Sequence, residues 1–260
     1  MTAYVVKEIL KMTIKEIESI FLQGSVTEDF IEACRSDSRK SMQTILRRYE
    51  RIQNERARLS TMYVYERAAI ATGHAFVAGV DEAGRGPLAG PVAVAAVILP
   101  QECYLARLND SKKLSHTVRE ELFTQVTEQA ISYHISLIDV ETIDRINILQ
   151  ATRMGMYEAI ASLSPVPQEV LIDAVELPNL SIPSQSIIKG DAKSASIAAA
   201  SILAKVTRDR LMEAYDERYP NYGFAKHKGY GTREHIEAIQ RYGICSLHRK
   251  SFEPIRSMIQ

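Results

Sequence analysis

The 260-residue sequence lacks the features of several protein classes, and each absence excludes one of them. Its cysteines number only three, are scattered, and show no metal-ligand spacing. This pattern argues against a zinc site or a disulfide framework and favours a reducing compartment. No uncharged apolar run reaches the length that spans a bilayer, and lysines and glutamates interrupt any signal-peptide core near the N-terminus. We therefore expect a cytoplasmic protein without a membrane segment.

An excess of charge is also missing, since 32 basic residues balance 32 acidic ones. The overall charge thus gives no attraction to a polyanion, and any contact with nucleic acid must come from local patches. Apolar residues make up 46% of the chain, which is ordinary for a globular protein. The length allows one large domain, or a core domain with an appendage.

The first 72 residues contain one glycine and no proline, so helix breakers are almost absent there. Apolar residues recur at helical spacing, and Thr13 with Glu16 has the pattern of a capping box. Arginines line the stretch from Arg39 to Arg58, which indicates either a solvated helix face or a contact with phosphates. We predict a helical N-terminal extension over 1–72 and a second domain over 73–260.

From residue 76 onward, short apolar runs alternate with helical patterns. This order predicts one α/β domain with a mixed sheet. The predicted strands are 76–82, 91–99, 131–138, 169–175 and 185–189. The predicted helices are 116–130, 140–163, 191–219 and 232–242, the last two forming a C-terminal helical part.

The first of these strands ends on two adjacent carboxylates, Asp81 and Glu82, directly before Gly84-Arg85-Gly86. Buried carboxylates are costly unless a metal ion or a set of donors compensates them. A regular strand points neighbouring side chains to opposite faces, so both acids serve one site only if the strand ends or bulges between them. A solvated carboxylate pair beside a turn is the alternative.

Two more carboxylates stand where α/β sheets commonly form sites, Asp173 at a strand end and Asp191 at a helix start. Asp173 also fits a turn cap, and Asp191 also fits a helix N-cap. Asp110 fits the N-cap description as well and has the weaker claim to the site. Four acids in one pocket repel one another, and hard cations such as Mg²⁺ or Mn²⁺ relieve this repulsion. Two such ions can hold a phosphodiester in line with an attacking water.

Basic and aromatic residues cluster near the C-terminus, a mixture that suits a nucleic-acid backbone with bases or sugars stacked nearby. An ordinary polar surface is the alternative. Three histidines in this region have no evident ligand partners, and we predict that they are surface or phosphate-facing residues. The cluster comprises Lys226, Lys228, Arg233, Arg241, Arg249, Lys250, Tyr222, Phe224 and Tyr230, and the histidines are His227, His235 and His248.

The run Val-Asp-Glu-Ala-Gly-Arg-Gly-Pro-Leu-Ala-Gly-Pro-Val that contains Asp81 resembles the opening signature of the bacterial ribonuclease HII family, the type 2 ribonucleases H. Leu-Ile-Asp-Ala around Asp173 matches the family too. So does the long run Gly-Asp-Ala-Lys-Ser-Ala-Ser-Ile-Ala-Ala-Ala-Ser-Ile-Leu-Ala-Lys that contains Asp191. Asp110-Ser-Lys-Lys-Leu resembles a further motif, and the resemblance covers roughly residues 75 to 255.

The resemblance implies a ribonuclease H-like mixed sheet flanked by helices and a site that holds two Mg²⁺ or Mn²⁺ ions. The implied ligands and catalytic residues are Asp81, Glu82, Asp173 and Asp191. The implied substrate contacts are Gly84, Arg85, Gly86, Lys112 and Tyr230. The expected enzyme is a monomer that hydrolyses the RNA strand of RNA-DNA hybrids and cuts on the 5′ side of single ribonucleotides in duplex DNA.

Two other functions stay open at this stage. A ribonuclease HIII-type enzyme has a similar core and prefers continuous ribonucleotide stretches. A non-catalytic module would bind hybrids and use the four acids only structurally. Cleavage beside one embedded ribonucleotide separates the first alternative from ribonuclease HII, and a metal-dependent nuclease assay separates the second.

Overall fold

The computed structural model describes residue 9 and residues 11–24, 26–101 and 103–259. The chain divides into two compact units, Met1–Arg58 and Leu59–Gln260. The predicted boundary at residue 72 therefore stays a prediction. Within the described ranges, every helix is too short or too polar to cross a bilayer.

The first unit is helical, as predicted, with α1 at Ile14–Gln23, α2 at Glu28–Arg35 and most of α3, Lys40–Met62. The capping box of Thr13 and Glu16 is present at the start of α1. Apolar faces pack around a buried cluster that includes Ile17, Cys34 and Met42. Arg39 is engaged within this unit, because it pairs with buried Asp37 and donates to the carbonyl oxygen of Met12 at 3.0 Å.

The second unit contains a five-stranded sheet in the order β3-β2-β1-β4-β5. β1 pairs antiparallel with β2 and parallel with β4, so the predicted mixed sheet is confirmed. The strands are β1 Val77–Ala83, β2 Val92–Ile98, β3 Ser132–Ile138, β4 Glu169–Asp173 and β5 Ser184–Ile187.

Helices cover both faces of this sheet. They are α4 Val64–Ala71, α5 His116–Gln129, α6 Val140–Ile146, α7 Ile148–Ala161, α8 Ala195–Arg218, α9 Phe224–His227, α10 Arg233–Tyr242 and α11 Ile255–Met258. The prediction of one helix over 140–163 is wrong, because Asn147 has a φ of +66° and its side chain caps α7. Short 3₁₀ turns at Ser111–Lys113 and Gly190–Ala192 precede α5 and α8.

The strand β2 is buried on both faces of the sheet, which explains why it carries no polar residue. One face of β2, including Ala95, packs against α8, and the other, including Val94, packs against α7. The contact between α8 and β1 is especially close at Gly79. A β-carbon added there would lie 2.0 Å from the carbonyl carbon of Ser196. This approach brings the beginning of α8 to the sheet.

Candidate active site

Three of the predicted acids meet where β1, β4 and the turn before α8 come together. Asp81 and Asp173 directly follow Val80 and Ile172, the last residues at which the parallel strands β1 and β4 pair. Asp191 lies in the 3₁₀ turn before α8. Each of the three acids offers a carboxylate oxygen within 4.8 Å of the others. The sheet register and one turn thus bring together residues that are up to 110 positions apart in sequence.

Asp191 is held by the turn and is not the N-cap of α8. That cap is Ser194, whose hydroxyl accepts a hydrogen bond from the amide of Ile197. The amide of Gly190 donates to Oδ1 of Asp173 at 2.6 Å and so fixes the turn against the end of β4. The expectation that a helix begins at Asp191 is wrong for this reason.

Glu82 occupies a different position from the other three acids. β1 stays paired with β2 through Ala83, so no bulge separates Asp81 from Glu82, but its pairing with β4 already ends at Val80. Oε1 of Glu82 accepts a hydrogen bond from Arg85 at 3.3 Å. Its Oε2 is buried without a partner among the described residues. An unsatisfied buried carboxylate oxygen is unusual and marks a place for a donor or a cation.

Burial and the charges of neighbouring carboxylates raise the pKa of Asp81, Glu82 and Asp191. For Asp81 the pKa rises well above 3.8, first because of burial and then because of the charges of Glu82 and Asp173. Burial also raises the pKa of Glu82, an effect that the guanidinium of Arg85 opposes. The site therefore stores electrostatic repulsion that bound cations would relieve.

The Asp110-Ser-Lys-Lys motif brings the side chains of Asp110 and Lys112 to this site. The carboxylate of Asp110 caps the 3₁₀ turn by accepting from the amide of Lys112 at 2.9 Å. After burial, the charge of Asp110 is the largest cause of the raised pKa of Asp191. Burial alone would lower the pKa of Lys112, but surrounding carboxylates, Asp81 first, raise it overall. Asp110 thus lies nearer the site than its sequence pattern suggested.

Two serines support Asp81 and were missed by the sequence reasoning. The hydroxyl of Ser201 in α8 hydrogen-bonds to Asp81 and lowers its pKa in part. The same hydroxyl lies 2.9 Å from that of Ser111, which is buried. Both serines lie inside the motifs that resemble the family. Their position in those motifs could have identified them as site residues.

A cavity of about 240 Å³ opens beside Glu82. All five residues predicted to contact substrate line it, namely Gly84, Arg85, Gly86, Lys112 and Tyr230. The ring of Tyr230 is 45% exposed, so it is free to meet a ligand. A carboxylate, a lysine, a glycine-rich loop and an aromatic ring thus share one opening.

Two buried arginines shape the loop that lines this cavity. Arg249 donates to the carbonyl oxygens of Gly84 at 2.6 Å, Arg85 at 3.0 Å and Gly90 at 2.7 Å. Arg208 donates to the carbonyl oxygens of Ala89 and Pro91, each at 3.0 Å. The prediction that Arg249 belongs to a surface patch is wrong, because its side chain is fully buried under the loop.

The histidine prediction is also wrong, because His227, His235 and His248 are all buried. The rings of His227 and His235 stack on each other. Phe224, which is buried as well, meets His235 edge-on and His248 at a tilt. Burial lowers the pKa of His235 and His248 to about 4. Nothing in the sequence distinguished these rings from surface histidines, since a charged residue adjoins each of them in the chain.

The exposed cations of the C-terminal cluster pair with nearby glutamates. Lys226 lies 2.6 Å from Glu234, and Arg233 lies 2.9 Å from Glu237. Such exposed pairs contribute little to stability, so a phosphate can compete for the cations. The patch therefore keeps the capacity to contact a nucleic-acid backbone.

A family model described as ribonuclease HII matches residues 78–255. The chain belongs to the ribonuclease HII family. A second model, described as the ribonuclease HII N-terminal domain, matches residues 13–70. The two matches together span both compact units of this ribonuclease HII.

Individual relatives agree with this assignment. The chain is 49% identical over 255 residues to a ribonuclease HII of Bacillus cereus strain G9842, covering 96% of this chain and 99% of the relative. It is 28% identical to the crystal structure of ribonuclease H2 from Pyrococcus horikoshii OT3, with a TM-score of 0.61 and coverage of 70% and 96%. A ribonuclease HIII crystallised with Mn²⁺, Bst-RNase HIII, shares the fold at 18% identity and a TM-score of 0.54, with coverage of 74% and 71%.

The family assignment establishes the class of reaction. This ribonuclease HII is a hydrolase, an endonuclease of the ribonuclease H type that acts on RNA-DNA hybrids. Its activity depends on divalent metal ions, and the cluster of Asp81, Asp173 and Asp191 is compatible with that dependence.

Proposed function

We propose that this ribonuclease HII cuts duplex DNA on the 5′ side of single embedded ribonucleotides and also cuts the RNA strand of continuous hybrids. The observation that carries the proposal is the cavity beside Glu82, which gathers a glycine-rich loop, Lys112 and Tyr230 around one opening. A site that reads one ribose needs polar backbone close to a 2′-hydroxyl, and such a loop supplies it.

We assign metal binding to Asp81, Asp173 and Asp191, with Glu82 completing the set. The donors are all carboxylate oxygens, which suit Mg²⁺ or Mn²⁺ and not a soft metal. The buried, unpartnered Oε2 of Glu82 fits the same role. Two bound ions would supply an activated water and charge stabilisation at the leaving oxygen. Attack of that water on the phosphorus, with the bond to the 3′-oxygen breaking, would leave 5′-phosphate and 3′-hydroxyl products.

The loop and Lys112 are proposed to hold the ribonucleotide. Arg249 engages the carbonyl oxygens of Gly84 and Arg85, so the backbone groups that the loop can offer a ribose are its N–H donors. Lys112 contributes a cation beside the acids, suited to a phosphate oxygen. Arg85 is shared with Glu82 and keeps part of its side chain in solvent, where it can reach a second phosphate.

Tyr230 is proposed to read the next nucleotide. A β-carbon at Gly86 would lie 3.7 Å from the Tyr230 ring, so the loop and the ring form two sides of one gap. A ring placed on the neighbouring sugar disfavours an additional hydroxyl there. This arrangement favours a deoxyribonucleotide on the 3′ side, and hence cleavage at an RNA-DNA junction.

One experiment tests the proposed function. Purified protein is incubated with duplex DNA containing one ribonucleotide and with a uniform RNA-DNA hybrid, each with Mg²⁺, with Mn²⁺, or with chelator. We expect metal-dependent cleavage of both, a 5′-phosphate on the downstream product, and no cleavage by Asp81→Asn. The exposed-carboxylate variant Glu141→Gln is the matched control and should retain activity. Preference for continuous RNA would establish a ribonuclease HIII-type activity, and absence of cleavage a binding module.

The proposed enzyme works as a monomer in the reducing cytoplasm. One chain contributes all four acids and all five residues assigned to substrate. Its three cysteines are free, and Cys34 and Cys103 are buried. Light scattering of the purified protein with and without hybrid measures the oligomeric state, and a dimeric mass for the active species would contradict this part of the proposal.

A further inference from the structure

The buried histidines of the second unit form an ordered hydrogen-bonded chain. Nδ1 of His235 lies 2.9 Å from the carbonyl oxygen of Tyr230. Nε2 of His235 lies 3.1 Å from Nε2 of His248. Nδ1 of His248 lies 2.9 Å from the amide nitrogen of Cys245. We call Cys245, His248, His235 and Tyr230 the histidine chain.

The hydrogen-bond partners of His235 determine which of its ring nitrogens carries the proton. A carbonyl oxygen can only accept, so Nδ1 of His235 must carry the proton that it donates to Tyr230. A neutral ring then has a bare Nε2, which accepts from Nε2 of His248. The low pKa of His235, about 4, agrees with a neutral ring.

The same reasoning fixes His248. Its Nε2 must carry a proton to donate to His235, so its Nδ1 is bare and accepts from the amide of Cys245. The opposite tautomer would donate from Nδ1 to the carbonyl oxygen of Cys245, which is 3.3 Å away. It would also place two N–H groups against each other at Cys245 and two bare nitrogens against each other at His235. Only one arrangement satisfies every contact.

A third histidine, His227, supports the segment around Tyr230 from its other side. Nε2 of His227 donates to the carbonyl oxygen of Tyr222 at 2.7 Å, and its Nδ1 accepts from the amide of Gly229 at 3.2 Å. Its ring stacks on that of His235 with centroids 4.4 Å apart. The backbone on both sides of the Gly229–Tyr230 bond is therefore tied to a buried imidazole.

The histidine chain is connected to the glycine-rich loop through His248. His248 pairs with Ala89 in a β-bridge, and the next residue is Arg249, which binds the carbonyl oxygens of Gly84 and Arg85. A backbone hydrogen bond also joins the segment after the glycine-rich loop to the segment before Tyr230. The amide of Leu88 donates to the carbonyl oxygen of Gly229 at 2.8 Å. The two loops that face each other across the cavity thus share one buried framework.

We propose that His235 and His248 are positioning residues that set the distance between Tyr230 and the Gly84–Gly86 loop, and so set the preference for a junction over uniform RNA. The proposal rests on the proposed function, in which Tyr230 and this loop contact adjacent nucleotides. Neither histidine touches the substrate. They act through the backbone carbonyl of Tyr230 and through the segment that carries Arg249.

A matched pair of substitutions separates positioning from packing. The amide nitrogen of asparagine reaches the place of Nδ1, so His235→Asn keeps a donor to Tyr230 and loses the contact to His248. The amide of glutamine reaches the place of Nε2, so His235→Gln keeps that contact and loses the bond to Tyr230. Both remove the same ring from between Phe224 and His227. Ile239→Val, a nearby buried deletion of one methyl group, controls for lost stability alone.

The measured quantity is the ratio of kcat/KM on a single-ribonucleotide duplex to kcat/KM on a uniform hybrid, with the melting temperature recorded for each variant. We expect His235→Gln to lower this ratio about fivefold, as loss of one oriented hydrogen bond would. His235→Asn and Ile239→Val should leave the ratio near the wild-type value at lower melting temperature. Equal ratios for the Gln and Asn variants, or a ratio that follows melting temperature, would overturn the positioning role.

Two further measurements distinguish an error in the histidine chain from an error in the role proposed for Tyr230. Long-range ¹⁵N–¹H spectra at neutral pH should show neutral rings protonated on Nδ1 for His235 and on Nε2 for His248, and any other tautomers would refute the chain itself. Tyr230→Ala should lower the ratio more than His235→Gln does. If Tyr230→Ala leaves the ratio unchanged, the assigned role of Tyr230 in the proposed function is wrong, and the positioning role falls with it.

Discussion

Gly84 and Arg208 approach each other so closely that no other residue fits at position 84. An added β-carbon would lie 2.0 Å from Nε of Arg208, and the backbone φ is +98°. Arg208 cannot move aside easily, because it is buried and its guanidinium donates to three carbonyl oxygens. Gly86 is different, since an added β-carbon meets only the Tyr230 ring at an ordinary contact distance of 3.7 Å.

The two glycines therefore give a matched comparison. We expect Gly84→Ala to lower the free energy of unfolding by more than about 2 kcal/mol, through the positive φ and the displacement of Arg208. Gly86→Ala should melt within a degree or two of wild type and lose activity on ribonucleotide-containing DNA, because the methyl group enters the gap. Calorimetry and cleavage rates, measured on the same preparations, check the expectations for the two variants. Normal activity of Gly86→Ala would contradict the proposal that the loop contacts the ribose.

Replacement of Asp81 should separate catalysis from stability. The raised pKa means that the folded state holds a proton that the unfolded state releases, so stability falls as pH rises above the ordinary value of 3.8. In chelator at neutral pH, we expect Asp81→Asn to melt above wild type and to bind hybrid equally or more tightly. With Mg²⁺ or Mn²⁺ present, it should cleave nothing. Asp173→Asn should likewise abolish cleavage. Adding Mg²⁺ should raise the melting temperature of wild type more than that of Asp81→Asn, and equal shifts would argue against a ligand role.

Truncation tests the predicted domain boundary. Glu66 lies in α4 and accepts hydrogen bonds from the hydroxyl of Ser194 at 2.7 Å and the amide of Ser196 at 2.9 Å, at the start of α8. Tyr63 donates to the carbonyl oxygen of Cys103 at 2.7 Å. We expect a chain that starts at Leu59 to fold and cut the same bond with a shallower salt dependence of binding. A chain that starts at Gly73 should melt lower, because it loses these contacts, whereas equal melting of the two chains would favour the boundary at 72.

The buried histidines predict a loss of stability in mild acid. His235 and His248 have a folded pKa of about 4 and an ordinary value of 6.5, so the unfolded chain binds more protons between these values. Stability should fall as pH drops through this window, by up to about 1.4 kcal/mol per pH unit for each histidine. Urea titrations at several pH values measure the slope. His248→Asn should reduce it, and replacement of the exposed His116 by Asn should not.

Local patterns determined much of this protein. The capping box at Thr13, the apolar β2 strand and the alternation of strands and helices each depend on a few neighbouring residues, and each formed as predicted. The same holds for the motifs around Asp81, Asp173 and Asp191. Their residue types and their places, two at strand ends and one before a helix, favour a cluster of acids, because sites in α/β sheets form where strand ends and helix starts meet.

Tertiary structure decided the features that depend on distant partners. Four polar side chains that each adjoin a charged residue in the chain became buried supports of the two loops, namely Arg208, Arg249, His235 and His248. A buried polar side chain is stable only when its partners surround it, and here the partners are backbone carbonyl oxygens and ring nitrogens up to 165 positions away. No local pattern encodes such partners, since any residue supplies a carbonyl oxygen and only the folded chain determines which one is within reach.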